Sequence, residues 1–351
     1  GDLTQTQTAP VKGTSLTVNS SAGDVVLEDA ANSVATLAIT NGSRAVKYKN
    51  ATNLTAVSVV GGAVELTAAA ISDNDGSVDI SATSAKLVAT SGAIGLGLDV
   101  ATATATAPGN INLTNAKALG LTATSSGGNV TASAAGTLTA TSVSATAGNV
   151  GLTATGATSD IAVGVITANA TTGTVTLTAG RSITDGDAAT DVTANAAALT
   201  ATAGSIDLDL AVNSATATAA GNIDLSNTKA LGLTAASSAG NVVATAAGTL
   251  TATNVAAAAG NVNLSATGSA SDIAAGVITA NATTGTATLV AGRSITDGDV
   301  ATDVTANAAA LTASVGSIDV NLAVNSATAT AAGSINLANS KALGLTATAG
   351  S

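Results

Sequence analysis

The sequence predicts an all-β chain wound as a parallel β-helix. Three observations carry that expectation. Apolar and polar residues alternate in short runs, the runs recur at two fixed periods, and the apolar residues are small and aliphatic. Tyr48 is the one aromatic residue in 351, although 46% of the chain is hydrophobic.

Alternation sets the local structure. Val175-Thr176-Leu177-Thr178 and Ile206-Asp207-Leu208-Asp209-Leu210 put apolar side chains on one strand face and polar ones on the other. Val, Ile and Thr suit a pleated, half-buried surface. Gly and Asn interrupt the runs too often for helices, and the period is two rather than 3.6.

The short repeat is a glycine, a small or polar residue, Ile or Val, and then alternation. Gly109-Asn110-Ile111-Asn112-Leu113, Gly148-Asn149-Val150-Gly151-Leu152 and Gly221-Asn222-Ile223-Asp224-Leu225 show it. The 15 such markers imply roughly 15 coils of ~17–25 residues. A unit of that size cannot bury its own apolar face, and stacking the units buries it continuously. At ~4.8 Å per coil this predicts a rod on the order of 70 Å long. A narrow interior takes ladders of Ala, Val, Leu and Ile, like upon like, which accounts for the missing Phe and Trp. The competing all-β reading is a string of sandwich domains, which would need larger core residues.

The long repeat is 112 residues. Lys117-Ala118-Leu119-Gly120-Leu121 returns at Lys229 to Leu233 and at Lys341 to Leu345. Copies run approximately 5–116 (diverged), 117–228 and 229–340, with 341–351 beginning another, all within one continuous β-helix over 1–351. Gly1 in place of Met and a stop in mid-pattern at Ser351 are expected of a piece of a longer polypeptide.

Composition excludes several chemistries. The chain has no Cys and no His, so it offers no zinc finger, haem ligand or Ser-His or Cys-His nucleophile. A net charge of -11 with only 10 Lys+Arg argues against nucleic acid as a partner. No apolar run approaches the ~18 residues of a membrane span. Gly1-Asp2-Leu3-Thr4 has neither the basic start nor the apolar core of a signal peptide.

The residues most suggestive of a site are acidic. Asp73, Asp75 and Asp79 recur as Asp185, Asp187 and Asp191, and again as Asp297, Asp299 and Asp303. Ser72-Asp73-Asn74-Asp75-Gly76-Ser77 looks like the start of a calcium loop, with carboxylates two apart and Gly for the turn. No Glu closes the loop, and the alternative is a solvated turn built from ordinary turn residues. Arg181 and Arg293 lie close enough in sequence to pair with the second and third sets. Beyond Ca²⁺, no cofactor is expected. The threonine arrays Thr102-Ala103-Thr104-Ala105-Thr106, Thr139-Ala140-Thr141 and Thr216-Ala217-Thr218 raise the remote reading of an ice-binding face. Arg44, Lys47 and Lys49 with Tyr48 form the one local positive patch, either a partner site or a solvated rim.

The Gly-Asn-Ile/Val-x-Leu-x-Ala units, such as Gly148 to Ala154, come with Ala-Gly-Arg-Ser-Ile-Thr-Asp runs at Ala179 to Asp185 and Ala291 to Asp297 and with Leu-Thr-Ala at Leu199 to Ala201. In these the chain resembles the filamentous-haemagglutinin-like exoproteins of two-partner secretion. The resemblance implies a right-handed β-helix, export to the bacterial cell surface, and a role as adhesin or fibre. The family's Asn-Pro motifs are missing: Pro10 and Pro108 each follow Ala. The expected function is a secreted structural fibre or adhesin shaft, not an enzyme. Its partners would be itself, by end-to-end stacking or continuation of the same chain, and host or surface glycans or proteins. The alternatives are a ligand-binding adhesin module with Ca-stabilised loops and, more remotely, a polysaccharide-acting β-helix, whose chemistry usually needs denser carboxylates.

Overall fold

The computed structural model describes every residue except Gln7, Asn74 and Ser351. The chain is an all-β parallel β-solenoid of about 17 turns, with no helix among the described residues. Its contacts group into two compact units, Gly1–Thr176 and Leu177–Ser351. Within each unit every turn gives one strand position to each of two parallel sheets.

In the first unit, Ile94 stacks on Ile111, Val130 and Val150, while Leu96 stacks on Leu113, Ala132 and Leu152. In the second unit, Ile206 stacks on Ile223, Val242 and Val262, while Leu208 stacks on Leu225, Ala244 and Leu264. The expected interior ladders of aliphatic residues are therefore present. Strand Thr102–Ala107 shows the alternation that builds them: its threonines face out and Ala103, Ala105 and Ala107 are buried. Tyr48 is an exception to the small-residue interior. It lies inside at 1% exposure, its hydroxyl donating to Asn50 Oδ1 at 3.1 Å. Burial pushes its phenol up to about 12.

Buried asparagines close the corners. Asn115 stacks on Leu98 in an interior column where its strand ends. Its Oδ1 accepts from Val100 N at 3.0 Å, and its Nδ2 donates to the carbonyls of Val100, Lys117 and Ala118 at 3.0, 2.9 and 3.1 Å. Asn227 makes the same bonds to Val212, Lys229 and Ala230. Asn50 does likewise with Val34 and Thr52. A primary amide is the side chain that can complete both a buried N–H and a buried C=O where the ladder gives out.

The turn count exceeds the marker count for a structural reason. The marker glycine precedes one sheet up to an acidic loop and the other sheet after it. Gly260 precedes Val262–Ala266, and Gly285 precedes Thr286–Ala291, both in one sheet, whereas Gly316 precedes Ile318–Ala323 in the other. The long glycine-to-glycine step thus holds a turn and a half. It follows that 112 residues cover eleven strand positions, or five and a half turns. In the second unit, Leu231–Ser237 and its counterpart Gly344–Ala349 accordingly lie in opposite sheets.

Candidate functional site

Each acidic loop interrupts a strand position. In the first unit, Ile71 and Ser72 pair with Ile94 and Gly95, and Ile80 and Ser81 pair with Leu98 and Asp99. Seven residues, 73–79, stand where an unbroken strand would place two. The excursion deprives the neighbouring strands of backbone partners, and carboxylates replace them. Gly97 N donates to Asp79 Oδ2 at 2.6 Å, and Val57 N donates to Asp73 Oδ2 at 2.9 Å. The loop reverses at Gly76, whose φ of 81° only glycine adopts freely, and Ser77 N donates to Asp75 Oδ1 at 2.8 Å.

The second unit repeats the device twice, from opposite sheets. Asp191 Oδ2 accepts from Asp209 N at 2.7 Å, and Asp303 Oδ2 accepts from Asn321 N at 2.6 Å. Asp185, Asp187, Asp297 and Asp299 each accept, through Oδ1, the N–H two residues on, at 2.6–2.7 Å. Asp75, Asp187 and Asp299 are exposed, as a solvated turn requires, whereas Asp185 and Asp297 are half-buried and Asp297 ends the strand Ile295–Asp297. The solvated-turn reading does not describe Asp79, Asp191 and Asp303, which are only 2–3% exposed.

Burial raises the carboxyl pKa of these three residues. Asp79 and Asp303 rise to about 6 and Asp191 to about 7. Neighbouring negative charges add to the rise: Asp73 and Asp75 for the first, Asp185 and Asp209 for Asp191, Asp297 and Asp299 for Asp303. The backbone N–H that each accepts works in the opposite direction.

The loops bring most, though not all, of the expected carboxylates together. One oxygen each from Asp73, Asp75 and Asp79 lie within 4.8 Å of one another, as do oxygens of Asp297, Asp299 and Asp303. In the second loop the group is Asp185, Asp191 and Asp209, with Asp209 standing where Asp187 was expected. Asp209 belongs to the next turn. Its signal in the sequence is the alternation of Ile206-Asp207-Leu208-Asp209, which points it outward above the loop.

Arg293 does not pair with the third loop; its guanidinium makes a bidentate pair with Asp272. That pairing holds the Asp272 carboxyl below its usual range. The basic patch is partly neutralised: Lys47 lies 3.7 Å from Glu65, Lys49 lies 3.9 Å from Glu28, and Tyr48 is inside. The threonine columns are short. Thr104 and Thr122 stack between Lys86 and Ser142, and Thr141 is the extra residue of a β-bulge. Compared with known protein families, curated proteins and solved structures, the chain matches none.

Proposed function

We propose that this chain is a stretch of an extracellular structural shaft, secreted to a cell surface, that supplies length and stiffness for attachment. One observation carries the reading. The interior ladders and the asparagine corners recur every long repeat with the same partners: Asn115 to Val100, Asn227 to Val212, Asn339 to Val324. A fold that copies its supports so faithfully suits a repeating rod better than a single turn specialised as an organic-ligand pocket. The acids serve turns and ladder repair, which supports a non-catalytic role. The resemblance to filamentous-haemagglutinin-like exoproteins supports export and adhesion.

Electron microscopy with small-angle scattering of the purified chain tests the shaft. Uniform elongated particles or filaments are expected, and a compact, spherical particle would remove the reading. A glycan array tests the adhesive part: binding to a defined glycan class would make the segment an adhesin, and silence would leave an inert spacer.

A further inference from the structure

We propose that the first acidic loop binds a divalent cation of calcium's class through Asp73, Asp75 and Asp79. The inference does not depend on the shaft reading. It starts from a buried atom. Asp79 is 2% exposed; its Oδ2 accepts from Gly97 N, but its Oδ1 has no hydrogen-bond partner. A buried carboxylate oxygen without a donor is costly, more so beside two further carboxylates. A cation placed among the three would supply the missing partner and offset their mutual repulsion.

The geometry is suitable. Oxygens bound to one Ca²⁺ at ~2.4 Å can be at most ~4.8 Å apart, and one oxygen of each of the three residues meets that limit. All three side chains are positioned before any ion arrives. Each has one oxygen tied to a backbone N–H: Asp79 to Gly97, Asp73 to Val57, Asp75 to Ser77. Such an irregular all-oxygen set suits Ca²⁺, with its flexible coordination, better than Mg²⁺, which demands a near-ideal octahedron.

The other loops differ in an informative way. In the second, Asp209 joins Asp185 and Asp191. In the third, Asn321 Nδ2 donates to Asp297 Oδ2 at 2.9 Å, so an amide already engages one of the carboxylates. Position 97 carries Gly, its counterpart 209 carries Asp and 321 carries Asn, which ranks the third loop below the first two.

Hydrogen exchange read by peptide mass spectrometry resolves the loops separately. The full chain, stripped with EDTA at pH 7.5, is compared with and without 5 mM CaCl2, with KCl matching the ionic strength. Exchange in the peptide spanning 73–79 is expected to slow at least threefold with CaCl2. Asp75→Asn alters an exposed side chain and is expected to abolish the effect in that loop alone. Asp79→Asn keeps an acceptor for Gly97 N and should do the same. Two results would overturn the proposal: no calcium-dependent protection of 73–79, or protection that survives both substitutions.

Discussion

Substituting Asn115 tests whether the corner amides hold the turns together. Asn115→Ala leaves two groups of Val100 without partners, its N–H and its C=O, at a residue that is 0% exposed. Each buried orphan costs ~1–3 kcal/mol. The carbonyls of Lys117 and Ala118 belong to exposed residues and can turn to water. The expected loss is therefore about 2–6 kcal/mol, towards the lower figure if a water enters the vacated space. Asn115→Asp is nearly isosteric but chemically reversed. One oxygen still accepts from Val100 N, while the other confronts three carbonyl oxygens at the positions where Nδ2 donated. The ionised acid is thereby disfavoured, so this variant should be more stable at pH 4 than at pH 7 relative to the parent. Because a solenoid can open locally, the assay combines urea unfolding with exchange rates of the amides around Val100. An Asn115→Ala chain within 0.5 kcal/mol of the parent, with Val100 still protected, would refute the reasoning.

Three further outcomes are expected. In the absence of divalent cations, Asp79, Asp191 and Asp303 keep protons in the folded chain at pH values where the unfolded chain has released them. Their contribution to stability is thus complete below about pH 4 and is lost as the pH rises through 6 to 7. Melting temperatures in EDTA across that range test the sign, and the slope should shrink in the triple Asp→Asn chain. Gly97→Ala would drive a methyl into the Ser77 carbonyl oxygen, so the first loop must shift; a loss of about 1–3 kcal/mol and faster exchange in 73–79 are expected, against unchanged exchange if the loop does not rest on Gly97. Asp224 lies directly opposite Asp207, and burial with the charges of Asp207 and Asp209 raises its carboxyl. Asp224→Asn, which copies the Asn336–Asp319 bond of the third repeat, should add about 0.2–1 kcal/mol at neutral pH and low salt, and a lower urea midpoint would contradict it.

Much of this architecture could be read from residues. Strict alternation located the strands, and glycine spacing gave the coils because a two-sheet turn needs a small residue where it bends. The acidic loops were visible as a charge pattern, because Asp with Gly in Ser72-Asp73-Asn74-Asp75-Gly76-Ser77 and its counterparts is turn chemistry set between apolar alternations. The burial of the third aspartate in each set was not visible. It depends on a missing ladder partner in the adjacent turn, and sequence spacing within one turn carries no record of its neighbour. The same applies to Asp209, which meets the second loop from one turn away. The asparagine corners left a trace, since Asn115, Asn227 and Asn339 recur with Val100, Val212 and Val324 each 15 positions earlier. In a chain rich in Asn that trace does not stand out from ordinary turn usage.

The half-integer turn count bears on what the surface can do. In the second unit the same Gly-Leu-Thr sequence lies in one sheet at 232–234 and in the opposite sheet at 344–346, with its strand flanked by similar small residues. Either sheet must therefore accept the same inward side chains, which restricts the interior to shapes that fit both. Ala, Val, Leu and Ile meet that condition; a large aromatic ladder would have to fit both sheets. Outward columns pay the converse penalty: after five and a half turns a column continues with the residues of a different strand. Thr216 and Thr234 stack in one column, but it opens on Ala198 and passes to Asn254. A flat recognition face, such as an ice-binding array, needs one residue type held in one column over many turns. This repeat breaks such columns while it preserves the core. That combination disfavours a continuous binding face, and it leaves the acidic loops, which in the second unit emerge on opposite sheets, as the places where chemistry can be added to the solenoid.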